Sequence, residues 1–127
     1  MEKKFDLWIN KKKELHYKKR EAYFRQRQIW WCSLGVNVGF EQDGKNSNFE
    51  RPVLIVKKWN TRLCWVVPLT SVKRKGSFFH AISYLDTTYT LVLCQLRILS
   101  SKRLLRKIRT ISNEEFIEIK KALKQSL

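Results

Sequence analysis

Three polar side chains, Arg51, Thr70 and Ser71, could act together on a phosphate group. Arg51 precedes one short apolar run, Val53–Val56, and the two hydroxyl residues follow the next, Leu63–Leu69. If the two runs form an antiparallel hairpin, the start of the first strand lies beside the end of the second. A guanidinium that stays charged and donates two parallel hydrogen bonds, next to small hydroxyls, is suited to holding a phosphate.

The charge of the chain indicates a polyanionic partner. Its 127 residues include 27 Lys and Arg against 11 Asp and Glu, a formal net charge of +16. Self-repulsion of this size favours binding to an anion such as nucleic acid. The apolar runs are far shorter than the ~20 residues that cross a bilayer, and no basic amphipathic stretch of interfacial length occurs. We therefore expect a nucleic-acid partner, no membrane and a cytoplasmic location.

Other catalytic groups are scarce in this sequence. The two histidines, His16 and His80, are expected to be surface or packing residues. The three cysteines, Cys32, Cys64 and Cys94, each lie in an apolar run and are predicted to be buried free thiols of a reducing compartment. The Cys, His, Asp and Glu residues form no cluster with the spacing of metal ligands. No glycine-rich loop leads from a strand into a helix. We expect neither a metal nor a cofactor.

One reaction class needs none of those groups. RNA carries its own nucleophile, the 2′-hydroxyl, so a protein need only align it, stabilise the phosphorane and help the 5′-oxygen leave. Arg51 fits as the phosphate clamp and a possible proton donor, and Thr70 with Ser71 fits as a hydroxyl donor to a non-bridging oxygen. The plainer interpretation is that Arg51 is a strand-edge residue paired with Glu41 or Glu50.

The elements that must position these residues are predicted to be a helix, about five short strands and a second helix. Residues 2–24 carry apolar side chains at helical spacing between lysines, which predicts a basic N-terminal helical extension. Residues 25–127 hold the strands and the last helix. Short strands without βαβ alternation predict a mainly β, α+β domain, a small curled antiparallel barrel with helices attached.

Two strands besides the hairpin are clear from their patterns. Gln28–Leu34 alternates and is rich in aromatic residues, as strands are. Tyr89–Ile98 is predicted to be one long strand. Its alternation would place Gln95 and Arg97 on the same face, where both could contact a phosphate or a base.

A polar loop and a capped helix complete the expected elements. The loop Gly35–Glu50 leads straight into Arg51, and a loop of this length in a compact domain is usually functional. We expect it to cover the corner that Arg51 forms. Within Ser112–Leu127, Ser112 and Glu115 form a capping box, and an apolar stripe follows that is typical of a helix packed on a core.

Several short motifs occur in the order and at the spacing found in one protein family. They are QIWWCSL followed by GVNVGFEQ at 28–42, RPVLI at 51–55, PLTS at 68–71, QLR at 95–97 and KRL at 102–104. From about Arg25 to the C-terminal helix, the chain resembles the MazF/PemK toxins of bacterial toxin–antitoxin pairs.

The resemblance implies a fold, an activity and partners. The fold would be a CcdB-like, SH3-like barrel, and the protein a symmetric homodimer. Its activity would be metal-independent endoribonuclease cleavage of single-stranded RNA, including mRNA, at short sequences, leaving a 2′,3′-cyclic phosphate and inhibiting growth. A cognate antitoxin would inhibit it through an acidic segment that imitates the RNA path, and would bind DNA together with it.

The resemblance also carries over to single residues. Arg51 and Thr70 match the catalytic pair of the family, and Glu41 with Gln42 matches the part of the glycine loop that covers the RNA. With the polar residues predicted above, the expected substrate-binding set is Glu41, Gln42, Ser71, Gln95 and Arg97.

Two other functions stay open at the level of sequence. A non-catalytic nucleic-acid-binding barrel would also suit the charge, with surface tryptophans stacking on bases. A CcdB-like protein that inhibits gyrase would suit the same fold, because a fold does not determine a function. The five Trp, four Tyr and seven Phe exceed what a small barrel readily encloses, and this surplus favours a subunit contact and hence a dimer.

Overall fold

The chain folds into seven antiparallel strands between two α-helices, in a computed structural model that describes residues 3–18, 22–37, 43–46 and 48–126. The predicted class, mainly β with a helix at each end, is confirmed. In chain order the elements are α1 (Phe5–His16), β1 (Gln28–Ser33), β2 (Glu50–Lys58), β3 (Leu63–Thr70), β4 (Phe79–Tyr84), β5 (Thr87–Val92), a first 3₁₀ helix (Leu93–Gln95), β6 (Arg97–Ser100), a second 3₁₀ helix (Ser101–Arg103), β7 (Leu104–Thr110) and α2 (Asn113–Ser126).

The strands form one sheet with β3 and β2 at its centre. Along its hydrogen-bonded path the order is β4, β5, β3, β2, β1 and β7, and β6 also pairs with β3. All of these pairs are antiparallel. The two ends of the path, β4 and β7, are not paired with each other in the described part of the chain. The expected barrel is therefore an open one.

The central strand β2 is buried on both of its faces, which explains its unbroken apolar run. Leu54 and Val56 belong to the cluster that packs against α2. Val53 and Ile55 point to the opposite face, where they pack in a second cluster with Cys32 of β1. Because successive side chains of a strand alternate in direction, a single run of β2 contributes to both cores.

Helix α2 begins at the predicted cap and covers one of these cores. The backbone N–H of Glu115 donates to the Ser112 hydroxyl at 3.1 Å, which is one half of the capping box. Phe116, Ile119 and Leu123 are buried, as the apolar stripe predicted. Leu127, the last residue of the predicted helix, lies outside the described residues. Among the described residues, no helix is long and apolar enough to cross a membrane.

Helix α1 is shorter than the sequence predicted. The helix expected over 2–24 runs from Phe5 to His16, and Tyr17 follows it as the C-cap. Residues 22–24 are not helical, because Phe24 is fully buried in the core below β1 and its chain must enter the sheet in an extended form. Position 2 and positions 19–21 lie outside the described residues.

The prediction of one long strand over Tyr89–Ile98 is wrong. Both β5 and β6 pair with β3, at the edge that β2 leaves open, through Leu69↔Leu91 and Val66↔Arg97. The first 3₁₀ helix loops out between the two strands and breaks the alternation. Its three residues interrupt what would otherwise be a continuous partner for β3.

Replacement of Ile119 tests how α2 is held to the sheet. Ile119 is 0% exposed, so Ile119→Ala removes buried apolar groups and should lower the free energy of unfolding by about 2–5 kcal/mol. Ile117→Ala is the matched control, since Ile117 on the same helix is 46% exposed and should change stability by no more than about 0.5 kcal/mol. Urea unfolding followed by circular dichroism measures both. Equal losses for the two variants would contradict the packing described.

Candidate nucleic-acid interface

The pairing of β2 with β3 brings Arg51 to the end of the strand that carries Thr70. Val53 pairs with Pro68, and the same register continued by two residues sets Arg51 across from Thr70. Side chains of residues directly opposite in an antiparallel pair share a face. In agreement, Arg51 Nη1 donates to the carbonyl oxygen of Leu69 at 3.3 Å. The guanidinium therefore lies beside the backbone that leads into Thr70.

The Arg51 guanidinium is held by carbonyl oxygens. Its Nε donates to the carbonyl oxygen of Asp43 at 2.8 Å. Burial lowers the pKa of Arg51, and the nearby charge of Asp43 acts in the opposite direction. Glu50, one partner considered from the sequence, is bound instead by Arg106 through two hydrogen bonds of 3.0 and 3.1 Å. Glu41, the other, lies outside the described residues.

The Thr70 side chain is mostly buried and has one fixed contact. It is 8% exposed, and its Oγ1 accepts a hydrogen bond from the backbone N–H of Val72 at 3.2 Å. A hydroxyl that accepts in this way keeps its own proton for a further acceptor. Ser71, the next residue, is exposed. A phosphate oxygen placed at this corner could accept from the Thr70 hydroxyl and from the Arg51 guanidinium.

Arg97 and Gln95 do not share the strand that was predicted for them. Arg97 begins β6 and is paired with Val66 of β3. Gln95 ends the first 3₁₀ helix, so strand alternation no longer relates the two side chains. Leu99, two residues after Arg97 on the same strand, belongs to the cluster that contains Cys32. Alternation along β6 therefore directs Arg97 to the face of Cys32.

Arg103 is a candidate site residue that the sequence did not reveal. Its Nη1 donates to the carbonyl oxygen of Ser33 at 3.4 Å. Burial lowers the pKa of Arg103, and the charge of Arg97 lowers it further. The motif KRL at 102–104 was the available signal, but nothing in the sequence indicates that Arg103 and Arg97 are close.

Together, Arg51, Arg97 and Arg103 form what we term the arginine triplet. In the described part of the chain, no carboxylate lies within ion-pair distance of any of the three. Strand β1 links Arg51 to the segment that holds Arg103, because Cys32 pairs with Arg51 on one side and with Leu104 on the other, and alternation along β6 directs Arg97 to the same face. Two strand spacings separate Arg51 from Leu104, about 10 Å. A group of three cations, two of them partly desolvated, attracts an anion.

The loop before β2 is described only in part. Glu41 and Gln42, predicted to contact RNA, lie outside the described residues. Gly44 donates to the carbonyl oxygen of Gly35 at 2.7 Å, and Lys45 is bridged to Glu50. Together with the hydrogen bond from Arg51 to the Asp43 carbonyl, these contacts place the described part of the loop against the corner that Arg51 forms.

The thiols differ from the prediction at one position. Cys32 and Cys64 are buried, and burial raises the pKa of each to about 12. Cys94 is exposed, so the prediction of a buried thiol is wrong there. The reason is that Cys94 lies in the first 3₁₀ helix, which loops out of the sheet. Within the described ranges, no group of three or more His, Cys, Asp or Glu side chains could hold a metal ion.

Comparison with known proteins gives one family match. The family described as the PemK-like, MazF-like toxin of type II toxin–antitoxin system matches residues 25–127. This span contains both strands of the hairpin and the whole arginine triplet. No curated protein sequence matches the chain.

Solved structures with a similar fold include three toxins or nucleases. An endoribonuclease from a mycobacterial species, in complex with its cognate antitoxin, is 19% identical with a TM-score of 0.60, over 81% of this chain and 93% of that one. The Mycobacterium tuberculosis toxin MazF-mt6 is 16% identical with a TM-score of 0.60, over 78% and 94% of the two chains. MazF from Deinococcus radiodurans is 18% identical with a TM-score of 0.62, over 82% and 96%. At these identities the similarity is one of fold.

The raised pKa values of the Cys32 and Cys64 thiols predict selective cysteine modification. At pH 8 a thiol with a pKa of about 12 is ~10⁻⁴ ionised, and the thiolate is the reactive form. A thiol reagent such as DTNB should therefore react rapidly with Cys94 alone in the native protein. In denaturant, Cys32 and Cys64 should react as well. A Cys94→Ser variant that still reacted rapidly in the native state would contradict the burial of the other two.

Proposed function

The chain belongs to the PemK-like, MazF-like family of toxins of type II toxin–antitoxin systems, and on that basis we propose that it is an endoribonuclease. Its substrate would be single-stranded RNA. In the cell this would be mRNA, in the cytoplasm. The observation that carries the proposal is the convergence of the Arg51 guanidinium on the end of β3, where Thr70 stands. A mycobacterial structure of similar fold is itself named an endoribonuclease.

The reaction proposed is a transesterification within the RNA. The 2′-oxygen bonds to the phosphorus, the bond to the 5′-oxygen breaks, and the products are a 2′,3′-cyclic phosphate and a 5′-hydroxyl. Arg51 binds the phosphate and stabilises the added negative charge of the phosphorane, while the Thr70 hydroxyl donates to a non-bridging oxygen. The 2′-hydroxyl loses its proton to water, and the 5′-oxygen gains a proton as it leaves. Arg51, whose pKa burial lowers, is the proposed donor of that proton, and it would recover one from water.

Substrate binding would extend from this corner along the arginine triplet. Arg103 precedes β7, which pairs with β1, and the charge of Arg97 acts on Arg103; in the described part of the chain neither arginine has a carboxylate within ion-pair distance. Contacts to phosphates hold an RNA strand in register without reading its bases. Recognition of a short sequence would then depend on the other predicted substrate-binding residues, Glu41, Gln42, Ser71 and Gln95.

We also propose that the protein is a homodimer. A patch of large apolar side chains is exposed where β3 and β6 meet, with Trp59, Trp65 and Ile98 exposed by 46%, 36% and 52%. Trp65 is paired with Ile98 across the two strands, and its ring centroid lies 5.0 Å from that of Trp59. Contiguous aromatic and aliphatic surface of this kind is typical of the centre of a subunit contact.

A cognate antitoxin is the second proposed partner. The net charge of +16 suits an acidic segment that would lie along the same arginines as the RNA. One structure of similar fold, the mycobacterial endoribonuclease described above, is bound to its cognate antitoxin. Competition between such a segment and RNA would explain how a toxin of this family is kept inactive.

Substitution of the corner residues tests the nuclease proposal. Arg51→Ala and Thr70→Ala should each slow cleavage of a long single-stranded RNA by about 10²–10³-fold, because each removes a donor to the phosphorane. Lys121→Ala, which removes a positive charge from an exposed position of α2, should cleave like the wild type. Cleavage is measured in EDTA by gel electrophoresis, and the 2′,3′-cyclic ends by mass spectrometry. Circular dichroism checks that the variants are folded.

Two results would contradict that proposal. RNA that remains intact at high protein concentration, while its binding survives Arg51→Ala, would favour a non-catalytic nucleic-acid-binding protein. Inhibition of DNA supercoiling by gyrase, with no RNA cleavage, would favour a CcdB-like inhibitor instead.

The oligomeric state tests the proposed subunit contact. Sedimentation equilibrium of the wild type at micromolar concentration should give the mass of a dimer of the 15.3 kDa chain. Ile98→Lys places a charge in the apolar patch and should shift the protein to the monomer. Leu85→Lys is the control, since Leu85 is 79% exposed in the turn between β4 and β5. A wild-type monomer would refute the dimer, and a dimeric Ile98→Lys variant would refute the contact.

A further inference from the structure

Helix α1 precedes the residues that match the family and packs beside the arginine triplet. The match begins at residue 25, whereas α1 ends at His16. Trp8 is 6% exposed, and its ring centroid lies 5.5 Å from that of Phe49, the residue before β2. The guanidinium of Arg103 lies 5.6 Å from the centroid of the same Trp8 ring. The helix is therefore in direct contact with one member of the triplet.

The C-terminal end of α1 is fixed to the second 3₁₀ helix by reciprocal contacts. Lys18 Nζ donates to the carbonyl oxygens of Lys102 at 3.4 Å and of Leu104 at 3.3 Å. In return, Lys102 Nζ donates to the carbonyl oxygen of His16 at 2.8 Å. Each lysine binds a helix terminus of the other element, where backbone carbonyls lack helical partners. The two elements are thereby held at a fixed distance.

A cationic cavity lies between these two elements. It has a volume of about 140 Å³ and is lined by Lys12, Leu15, His16, Ser100, Lys102 and Arg103. No carboxylate is among these lining residues. The Ser100 hydroxyl accepts from the backbone N–H of Lys102 at 3.2 Å, which leaves its own proton for another acceptor. Since a water molecule takes up about 30 Å³, there is room for a phosphate group.

We propose that this cavity is a second phosphate-binding site. It would hold a backbone phosphate of the RNA that lies on one side, 5′ or 3′, of the scissile phosphate. The inference deepens the proposed function and rests on it. Arg103 connects the two sites, because it lines the cavity and the charge of Arg97, another member of the triplet, lowers its pKa. Leu104, the residue after Arg103, lies about 10 Å from Arg51 across β1. A single RNA strand can therefore contact both sites.

Such a site contributes to binding and not to the chemical step. The bound phosphate is not the one that reacts, so its contacts are equally strong before and during the reaction. Loss of a contact of this kind raises KM and leaves kcat unchanged. Neutralising one phosphate of a single strand also contributes about 0.7 to the slope of log K against log salt concentration.

The experiment compares two adjacent lysines of α1 in the full-length protein. Lys12 lines the cavity, Lys13 does not, and both are exposed. The probe is a single-stranded RNA with a 2′-deoxy nucleotide at the cut site, which binds without being cleaved. Lys12→Ala should weaken its binding about tenfold and reduce the salt slope by about 0.7, while Lys13→Ala should resemble the wild type. On cleavable RNA, Lys12→Ala should raise KM at unchanged kcat.

Shortened RNAs locate the contact. The probe is truncated on its 5′ side in one series and on its 3′ side in another, each time to the nucleotide next to the cut site. Truncation on one side should abolish the difference between Lys12→Ala and Lys13→Ala, and truncation on the other should preserve it. A difference that persists in both series means that Lys12 acts only through the general field of the protein, which overturns the proposal.

The remaining outcomes separate this inference from the nuclease proposal. If the wild type binds the probe but cleaves no RNA, the proposed activity fails, and the comparison of Lys12→Ala with Lys13→Ala still decides on the phosphate site. Equal affinities of the two variants overturn the site even if cleavage is normal. If Lys12→Ala weakens binding of a glutamate-rich peptide and leaves RNA affinity unchanged, the cavity serves a protein partner and the proposal is overturned. A wild type that binds no RNA overturns both proposals.

Discussion

The antiparallel register between β2 and β3 is the constraint on which both the core and the candidate site depend. Val53 and Leu54 of β2 bury their side chains in different cores. A slip of one residue would exchange the two faces and place every side chain of the strand in the wrong core. The same slip would move Arg51 away from Leu69. Apolar packing along β2 thus fixes where its first charged residue lies.

Two members of the arginine triplet, Arg51 and Arg103, are partly desolvated, and their contacts compensate for the lost water only in part. Burial lowers the pKa of Arg51 and of Arg103, and both guanidinium groups donate to backbone carbonyl oxygens. Nearby carboxylates have other partners, since Asp43 is paired with Lys3 at 3.1 Å and Glu50 with Arg106. An anionic ligand would supply the charge that these contacts do not. A phosphate could then bind these arginines strongly, because no existing ion pair of theirs would have to be broken first.

Features that depend on neighbouring residues were predicted well from the sequence. The hairpin of β2 and β3 and the cap of α2 follow from runs of apolar residues and from the spacing of Ser112 and Glu115. The failures have a different physical origin. Leu93–Gln95 leaves the sheet where β3 changes partners, from β5 to β6. The first helix ends at His16, and Phe24, predicted to be helical, is buried in the core instead. Both depend on contacts between residues distant in the chain.

The surroundings of Arg103 likewise depend on contacts between residues distant in the chain, which the sequence pattern does not reveal. Its neighbours Trp8, Ser33 and Arg97 come from three separate parts of the chain. The motif that contains Arg103 was visible in the sequence, but a motif carries no information on which other cations lie beside it. The role of Arg103 could be inferred only once β1, β6 and the second 3₁₀ helix were in place.

Helix α1 and the domain that it packs on are shaped to fit each other. Gly35, just after β1, has a φ of +79°, and a Cβ at this position would collide with the Trp8 ring. The backbone therefore leaves a recess into which Trp8 fits, and Leu15 buries a second apolar side chain further along the helix. Because packing fixes the orientation of α1, Lys12 has a defined position relative to Arg103. Charges on a helix held in this way can form a binding site, whereas the same lysines on an unpacked segment would only add to the general attraction for RNA.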